Sequence, residues 1–196
     1  MLDVPRETSE RLEALQALVI EEGARQNLIS AATIPDFRAR HVEDSLQLLP
    51  FLKAGPLLDI GSGAGFPGLA LACCRTDHTH LVEPRARRAD FLSRATETLG
   101  LSDRVTVHQC KVERVAVAGI ATITARAVAA LPQLFAMAVH LADESTRWVL
   151  PKGRTAAIEL EEARRTWQGV FELTSSVTDA EAAILIAESV RRRRSR

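Results

Sequence analysis

The chain has no tyrosine, only two tryptophans and six phenylalanines. A sheet that stacks several bases on aromatic side chains is therefore not expected. Cysteine is scarce as well. Cys73 and Cys74 are adjacent and Cys110 stands alone, which is neither a disulfide framework nor a zinc-ligand spacing, so no metal is expected. Buried, unreactive thiols are the simpler reading. No apolar run approaches the ~18 residues of a membrane span. Asp3, Arg6, Glu7, Glu10 and Arg11 also break up any leader-like stretch at the start. A cytosolic protein without membrane contact follows. An excess of charge of one sign is missing too: 25 basic residues balance 25 acidic ones. A nucleic acid would then have to be held by local patches, not by a broadly basic surface.

What is present suits one domain with a small appendage, since 196 residues at 46% hydrophobic content can bury a sizeable core. Helical spacing of Leu12, Leu15, Leu18 and Val19 predicts a helix over 6–24. A second helix is expected over 35–52, opened by Pro35 and ended before Gly55-Pro56. Residues 1–54 thus read as a helical extension packed on a core of residues 55–190. In the core, strand candidates 57–60, 79–83, 104–108, 121–125 and 146–150 alternate with helix candidates 67–75, 86–99, 130–141 and 155–166. Such alternation predicts right-handed crossovers and a mostly parallel, doubly wound α/β sheet. Two more apolar runs, 170–177 and 183–188, are separated by five residues, too few for a crossover, and should pair antiparallel. Residues 191–196 read as a basic, disordered tail. Nothing sets the oligomeric state, and a monomer is the expectation.

Five parallel strands followed by an antiparallel hairpin is the Rossmann-like layout of class I S-adenosylmethionine-dependent methyltransferases. The first strand runs into Gly61-Ser62-Gly63-Ala64-Gly65, where glycines let a ligand approach the backbone closely. The spacing is ambiguous. Gly63, Gly65 and Gly68 also fit the dinucleotide fingerprint, and Glu83 lies 20 residues beyond Gly63. Asp59, two residues before the first glycine, argues against a pyrophosphate and for a ligand carrying a sulfonium and an ammonium. S-adenosylmethionine is that ligand, and Asp59, Gly61, Gly63 and Gly65 are its candidate loop. Glu83, ending the second strand, could accept both ribose hydroxyls, a bidentate arrangement that suits a carboxylate. Val112 and Glu113, after the third strand, could address the adenine; Glu113 could equally be a solvated loop acid.

The segments LLDIGSGAGFPGLALA, LVEPRARRADFL, CKVERV, ITARAVAAL and LPKG follow one another in order, preceded by RQNLIS and RHVEDSL. Taken together they resemble the RsmG (GidB) family, bacterial methyltransferases acting on guanine N7 of 16S ribosomal RNA. The resemblance covers nearly the whole chain. It implies an enzyme, S-adenosylmethionine as cofactor, and 16S RNA or the 30S subunit as partner. It further implies cofactor contacts at Gly61, Phe66 (where the family usually has Leu), Glu83, Val112, Glu113 and Arg126. His41, Asp44, Ser45 and Lys152 should lie near the mouth of the site. Glu22-Gly23 stand where the family commonly has Trp-Asn, Ile29 stands for a Thr, and the N-terminus is short, which implies altered RNA recognition there.

Guanine N7 carries an in-plane lone pair, so the transfer needs placement and not a general base. Arg126 is the first candidate to position the guanine or the cofactor's carboxylate, with His41, Asp44 and Lys152 beside it; a strand-end salt bridge is the alternative for Arg126. Arg85, Arg87 and Arg88 open a helix, where positive charge opposes the macrodipole, and are candidates for RNA phosphates. A solvated face with an Asp90–Arg94 pair would explain part of that cluster. A small-molecule methyltransferase would need an inserted lid, which is not seen. A non-catalytic module would be expected to have lost Asp59 or a loop glycine.

Overall fold

The computed structural model describes residues 4–194. Its seven strands are β1 (Leu57–Ile60), β2 (Thr79–Val82), β3 (Val105–His108), β4 (Thr122–Ala125), β5 (Arg147–Lys152), β6 (Trp167–Ser175) and β7 (Ala183–Arg192). They form one sheet in the order β3-β2-β1-β4-β5-β7-β6. The first five run parallel, and β7 is antiparallel to both β5 and β6. The doubly wound sheet with a C-terminal hairpin is therefore present. Strand order reverses between β1 and β4, the switch point at whose C-terminal edge ligands bind in this architecture.

Helices α1 (Arg6–Glu22), α3 (Gly68–Cys73) and α4 (Ala86–Thr98) cover one face of the sheet. Leu12, Leu15 and Val19 of α1 share a buried cluster with Leu69, Phe91 and Leu92. Each such side chain contributes roughly 1.5–3 kcal/mol relative to leaving it in water, which is what docks α1. On the other face, α5 (Leu131–Ala138) and α6 (Ala156–Thr166) pack over β4–β7. There Phe135 meets Trp148 and Trp167 edge-on. Among the described residues no helix is long and apolar enough to cross a membrane.

Several boundaries differ from the sequence reading, two of them by more than a few residues or in kind. The single helix expected over 35–52 is broken into a π-helical run, Arg38–Glu43, the short α2 (Asp44–Leu46) and a 3-10 turn at Leu49–Phe51. Pro50 cannot supply a helical N–H, and the Ser45 hydroxyl donates to the His41 carbonyl at 2.6 Å, a side-chain bond that competes with regular winding. Part of the expected basic tail is instead strand, and residues 195–196 lie outside the described residues. Arg191 and Arg192 belong to β7 and pair with Gln168 and Trp167. Arg193 still donates its backbone N–H to Thr166. Ladder pairing satisfies the backbone while the arginine side chains stay exposed. A bulge between Gln168 and Val170 shifts the register by one residue; a Cβ on Gly169 would lie 2.7 Å from the Glu188 carbonyl.

Candidate active site

The glycine loop turns directly off β1. The N–H groups of Gly61 and Ser62 both donate to the Val82 carbonyl, at 2.8 and 3.1 Å, fastening the loop to the end of β2. Gly61 has φ +69°, and a Cβ there would lie 2.6 Å from Val128 Cγ2. The loop therefore needs glycine both for its conformation and for the approach of the segment after β4.

A cavity of about 450 Å³ opens here, with Gly61, Glu83, Val112 and Glu113 in its lining. Four of the expected cofactor residues are thus brought together. Glu83 is buried. Its Oε2 accepts the Gly63 N–H at 3.1 Å and its Oε1 the Arg85 N–H at 2.9 Å. A carboxylate oxygen offers two acceptor positions, so each keeps one for a ligand while the pair stays locked. The other loop glycines line neither this cavity nor the next one. Gly63 gives its N–H to Glu83, and Gly65 packs on Leu69.

Asp59 sits elsewhere than the charge argument required. It is fully buried and lines neither cavity. Its Oδ2 accepts the Gly68 N–H at 3.1 Å and its Oδ1 the Thr124 hydroxyl at 2.9 Å. Burial pushes its carboxyl up to about 6, against hydrogen bonds that pull it down. The residue ties β1 to the start of α3 and to β4 in the manner of a structural brace.

The arginines after β2 also part company. Arg85 and Arg88 line the cavity beside Gly61, and an Arg88 N–H donates to the Asn27 carbonyl. Arg87 lies in a separate depression against α1, with Glu22, Asp90 and Arg94. Arg94 pairs with Glu22 at 2.8 Å and not with Asp90 as its helical spacing suggested. Glu22 is buried and held by Gln26 and Arg25 as well, hydrogen bonds that lower its pKa against the opposing effect of burial.

A second cavity of about 710 Å³ lies on the far side of Ala127 and Val128, which line both. Ala127 has φ +55°, a left-handed conformation uncommon outside glycine. Arg126, Asp44 and Lys152 line this second cavity. The Arg126 guanidinium donates to Asp44 Oδ2 at 3.0 Å, to the Arg40 carbonyl at 3.0 Å and to His41 Nδ1 at 3.2 Å. It also stands 5.8 Å over the ring of Phe66. Arg126 therefore forms the strand-end salt bridge that the sequence offered as one alternative, and it lines the cavity as well. His41 and Phe66 are buried behind it, meeting Phe37 edge-on, and line neither cavity. Lys152 Nζ donates to the Ala129 carbonyl and to Glu159 Oε2, each at 2.9 Å.

Several lining residues were not foreseen: Gln47, Glu159, Ser176 and Thr178. Gln47 stands three residues after Asp44 and could have been found as its helical neighbour; the hairpin residues carry no local signal. Of the cysteines expected to be buried, Cys73 is, while Cys74 and Cys110 are half-buried; burial pushes the Cys73 thiol up to about 12 and Cys74 to about 11. Among the described residues no group of three or more His, Cys, Asp or Glu could hold a metal ion.

In fold, the chain is similar to a glycopeptide N-methyltransferase, MtfA, complexed with S-adenosyl-L-methionine: TM-score 0.64 at 9% identity, over 75% of this chain and 86% of that one. It is also similar to the tRNA methyltransferase TrmK of B. subtilis, with TM-score 0.59 at 16% identity, over 74% and 64% of the two chains. In sequence it is 45% identical over 194 residues to ribosomal RNA small subunit methyltransferase G of Rhizorhabdus wittichii, covering 97% of this chain and 89% of the relative. The protein of the same description from Zymomonas mobilis is 40% identical over 199 residues, with 96% and 89% covered. The family model described as GidB, rRNA small subunit methyltransferase G, matches residues 8–185. With nearly the full length matched and the two cavities at the sheet's switch point, the chain belongs to the GidB family of small-subunit ribosomal RNA methyltransferases.

Proposed function

We propose that the protein transfers the methyl group of S-adenosylmethionine to N7 of a guanine in 16S ribosomal RNA. The cofactor would occupy the cavity beside Gly61, and the guanine the cavity beside Arg126. The residues fit such a cofactor. Gly61 leaves no side chain in the way, Glu83 retains an acceptor position on each oxygen for the ribose hydroxyls, and Val112 with Glu113 would border the adenine. When bound, the cofactor supplies a methyl group on a positively charged sulfur.

One observation carries the choice of N7. The acids lining the second cavity are all engaged: Asp44 by Arg126, Glu159 by Lys152 and Asp179 by Arg40. His41, behind them, is bonded at both ring nitrogens. No free base therefore faces the substrate among the described residues. An amine or hydroxyl substrate would have a proton to lose; guanine N7 has none. The work of the site is then alignment of N7 with the methyl group and exclusion of water, which can supply much of such a rate.

Arg126 would direct the guanine through its remaining N–H groups toward O6, leaving N7 free. RNA would approach across the π-helical run and the tip of the β6–β7 hairpin, where Arg38 and Arg40 are partly exposed. Arg87 remains an RNA candidate, whereas Arg85 and Arg88 are better placed for the cofactor side. A ribosomal substrate also accords with a cytosolic protein working as a monomer. The test is transfer of labelled methyl into 30S subunits and into free 16S RNA, followed by mapping of the modified base. The expected result is label on one guanine N7; label on a base amine or a ribose would overturn the reading.

A further inference from the structure

The side chain that orients Arg126 is itself oriented by the tip of the β6–β7 hairpin, more than 130 residues away in sequence. Asp44 gives one oxygen, Oδ2, to Arg126. The other, Oδ1, accepts the Thr178 hydroxyl and a Gln47 amide N–H, each at 2.8 Å. Gln47 also donates to the Thr178 oxygen at 2.9 Å, closing a triangle. Its own carbonyl oxygen accepts the Val177 N–H at 2.9 Å, so the buried Gln47 grips the hairpin by backbone as well as by side chain.

We infer that Thr178 and Gln47 are positioning residues of the methyl-transfer reaction: they hold Asp44 so that its second oxygen fixes the Arg126 guanidinium at the wall of the substrate cavity. The argument rests on the reading of that cavity as the guanine site. Two features set this latch apart from a mere fastening of the hairpin. Both side chains line the cavity together with Asp44 and Arg126. Both donors also converge on the single carboxylate oxygen that Arg126 does not use. A carboxylate with four acceptor positions can swing between partners; two donors on one oxygen remove that freedom. Alignment errors of about 1 Å can cost on the order of 100-fold in rate, so a loosened Asp44 should show in turnover before it shows in binding.

The experiment measures methyl transfer to unmethylated 30S subunits by wild type, Thr178→Val, Thr178→Ser and Asp44→Ala, with S-adenosylmethionine affinity from calorimetry. Thr178→Val keeps the shape and loses the hydroxyl. It should lower kcat roughly tenfold while KM for the subunit and the cofactor Kd stay within about twofold. Thr178→Ser should restore most of the rate. In the Asp44→Ala background, Thr178→Val should add no further loss, because the hydroxyl acts only through that carboxylate. If Thr178→Val does not fold, Gln47→Met removes the other donor to the same oxygen and carries the same expectation. Wild-type kcat in the folded variants, or losses that multiply in the Asp44→Ala background, would overturn the inference. Arg126→Gln separates the two levels. If it keeps wild-type kcat, the guanine-site reading fails; if it is inactive while Thr178→Val is fully active, only the latch fails.

Discussion

Arg126 donates an N–H to Nδ1 of His41 at 3.2 Å, and that contact decides which nitrogen of the ring carries the proton. With Nδ1 accepting, Nε2–H must donate to the Thr33 hydroxyl at 2.9 Å, and that hydroxyl donates onward to the Ser30 carbonyl. A chain of donors thus runs from the end of β4 through the π-helical run to the turn before it. It works only with a neutral imidazole.

Burial, with the Arg126 charge beside it, lowers the His41 imidazole from 6.5 to about 4. In the unfolded chain the ring protonates as pH falls through 6.5, while the folded protein stays neutral to about 4. The unfolded state then binds more protons, so stability should fall with pH across this window, by up to roughly 3 kcal/mol from this ring. Urea unfolding of wild type and His41→Gln between these pH values checks it. The difference between the two should shrink as pH falls. A constant difference would mean that His41 titrates normally.

Asp59 gives a contrasting expectation. Asp59→Ala leaves the buried Gly68 N–H and Thr124 hydroxyl without their acceptor, at roughly 1–3 kcal/mol for each. Asp59→Asn can still accept from Gly68 and donate to Thr124, so it should melt close to wild type and bind S-adenosylmethionine within about threefold of it. Because the folded carboxyl lies near 6, above its usual 3.8, wild type should also lose stability relative to Asp59→Asn as pH rises between those values. Calorimetry showing a large loss of cofactor affinity in a stable Asp59→Asn protein would restore a direct electrostatic role for the charge.

Glu83→Ala removes the acceptor shared by Gly63 and Arg85 and the one proposed for the ribose. Two unmatched hydroxyls should weaken S-adenosylmethionine and its demethylated product alike, by roughly 1–3 kcal/mol. Equal affinities for variant and wild type would leave Glu83 as a loop fastener only.

The mostly parallel sheet was legible because short apolar runs alternate with helices, and five residues between the last two runs allow only a hairpin; the strand order came from the structure. That Gly61, Glu83, Val112 and Glu113 meet at one cavity was legible for a similar reason: all lie at or after strand ends, and a parallel sheet brings those ends to one edge. The burial of Asp59 and its bonds to Gly68 and Thr124 were not legible, because sequence locates a charge without its surroundings. The break in the helix after Phe37 was missed because apolar spacing at Val42 and Leu46 does not distinguish π from α winding. The contacts of Asp44 with Thr178 were out of reach, since they depend on where a hairpin tip folds back. The same limit applies to the arginines after β2. Their spacing suggested one patch, whereas side-chain direction sends Arg85 and Arg88 to one side and Arg87 to the other.

That division yields the last prediction. Each phosphate neutralised by an arginine releases counterions, so its removal should flatten the salt dependence of RNA binding by about one unit of slope. Arg87→Gln should therefore weaken binding to 16S RNA modestly and reduce the slope, with cofactor affinity unchanged. Arg85→Gln with Arg88→Gln should do the reverse, lowering S-adenosylmethionine affinity and leaving the RNA slope near wild type, because both side chains border the cofactor-side cavity. Arg40→Gln is the informative comparison. It removes an exposed guanidinium paired with Asp179 at the hairpin tip, on the path proposed for the RNA. Filter binding across a salt series, with calorimetry for the cofactor, distinguishes these cases. If the Arg85 and Arg88 pair flattens the slope while Arg40→Gln leaves it untouched, the RNA lies along the start of α4 and not across the hairpin.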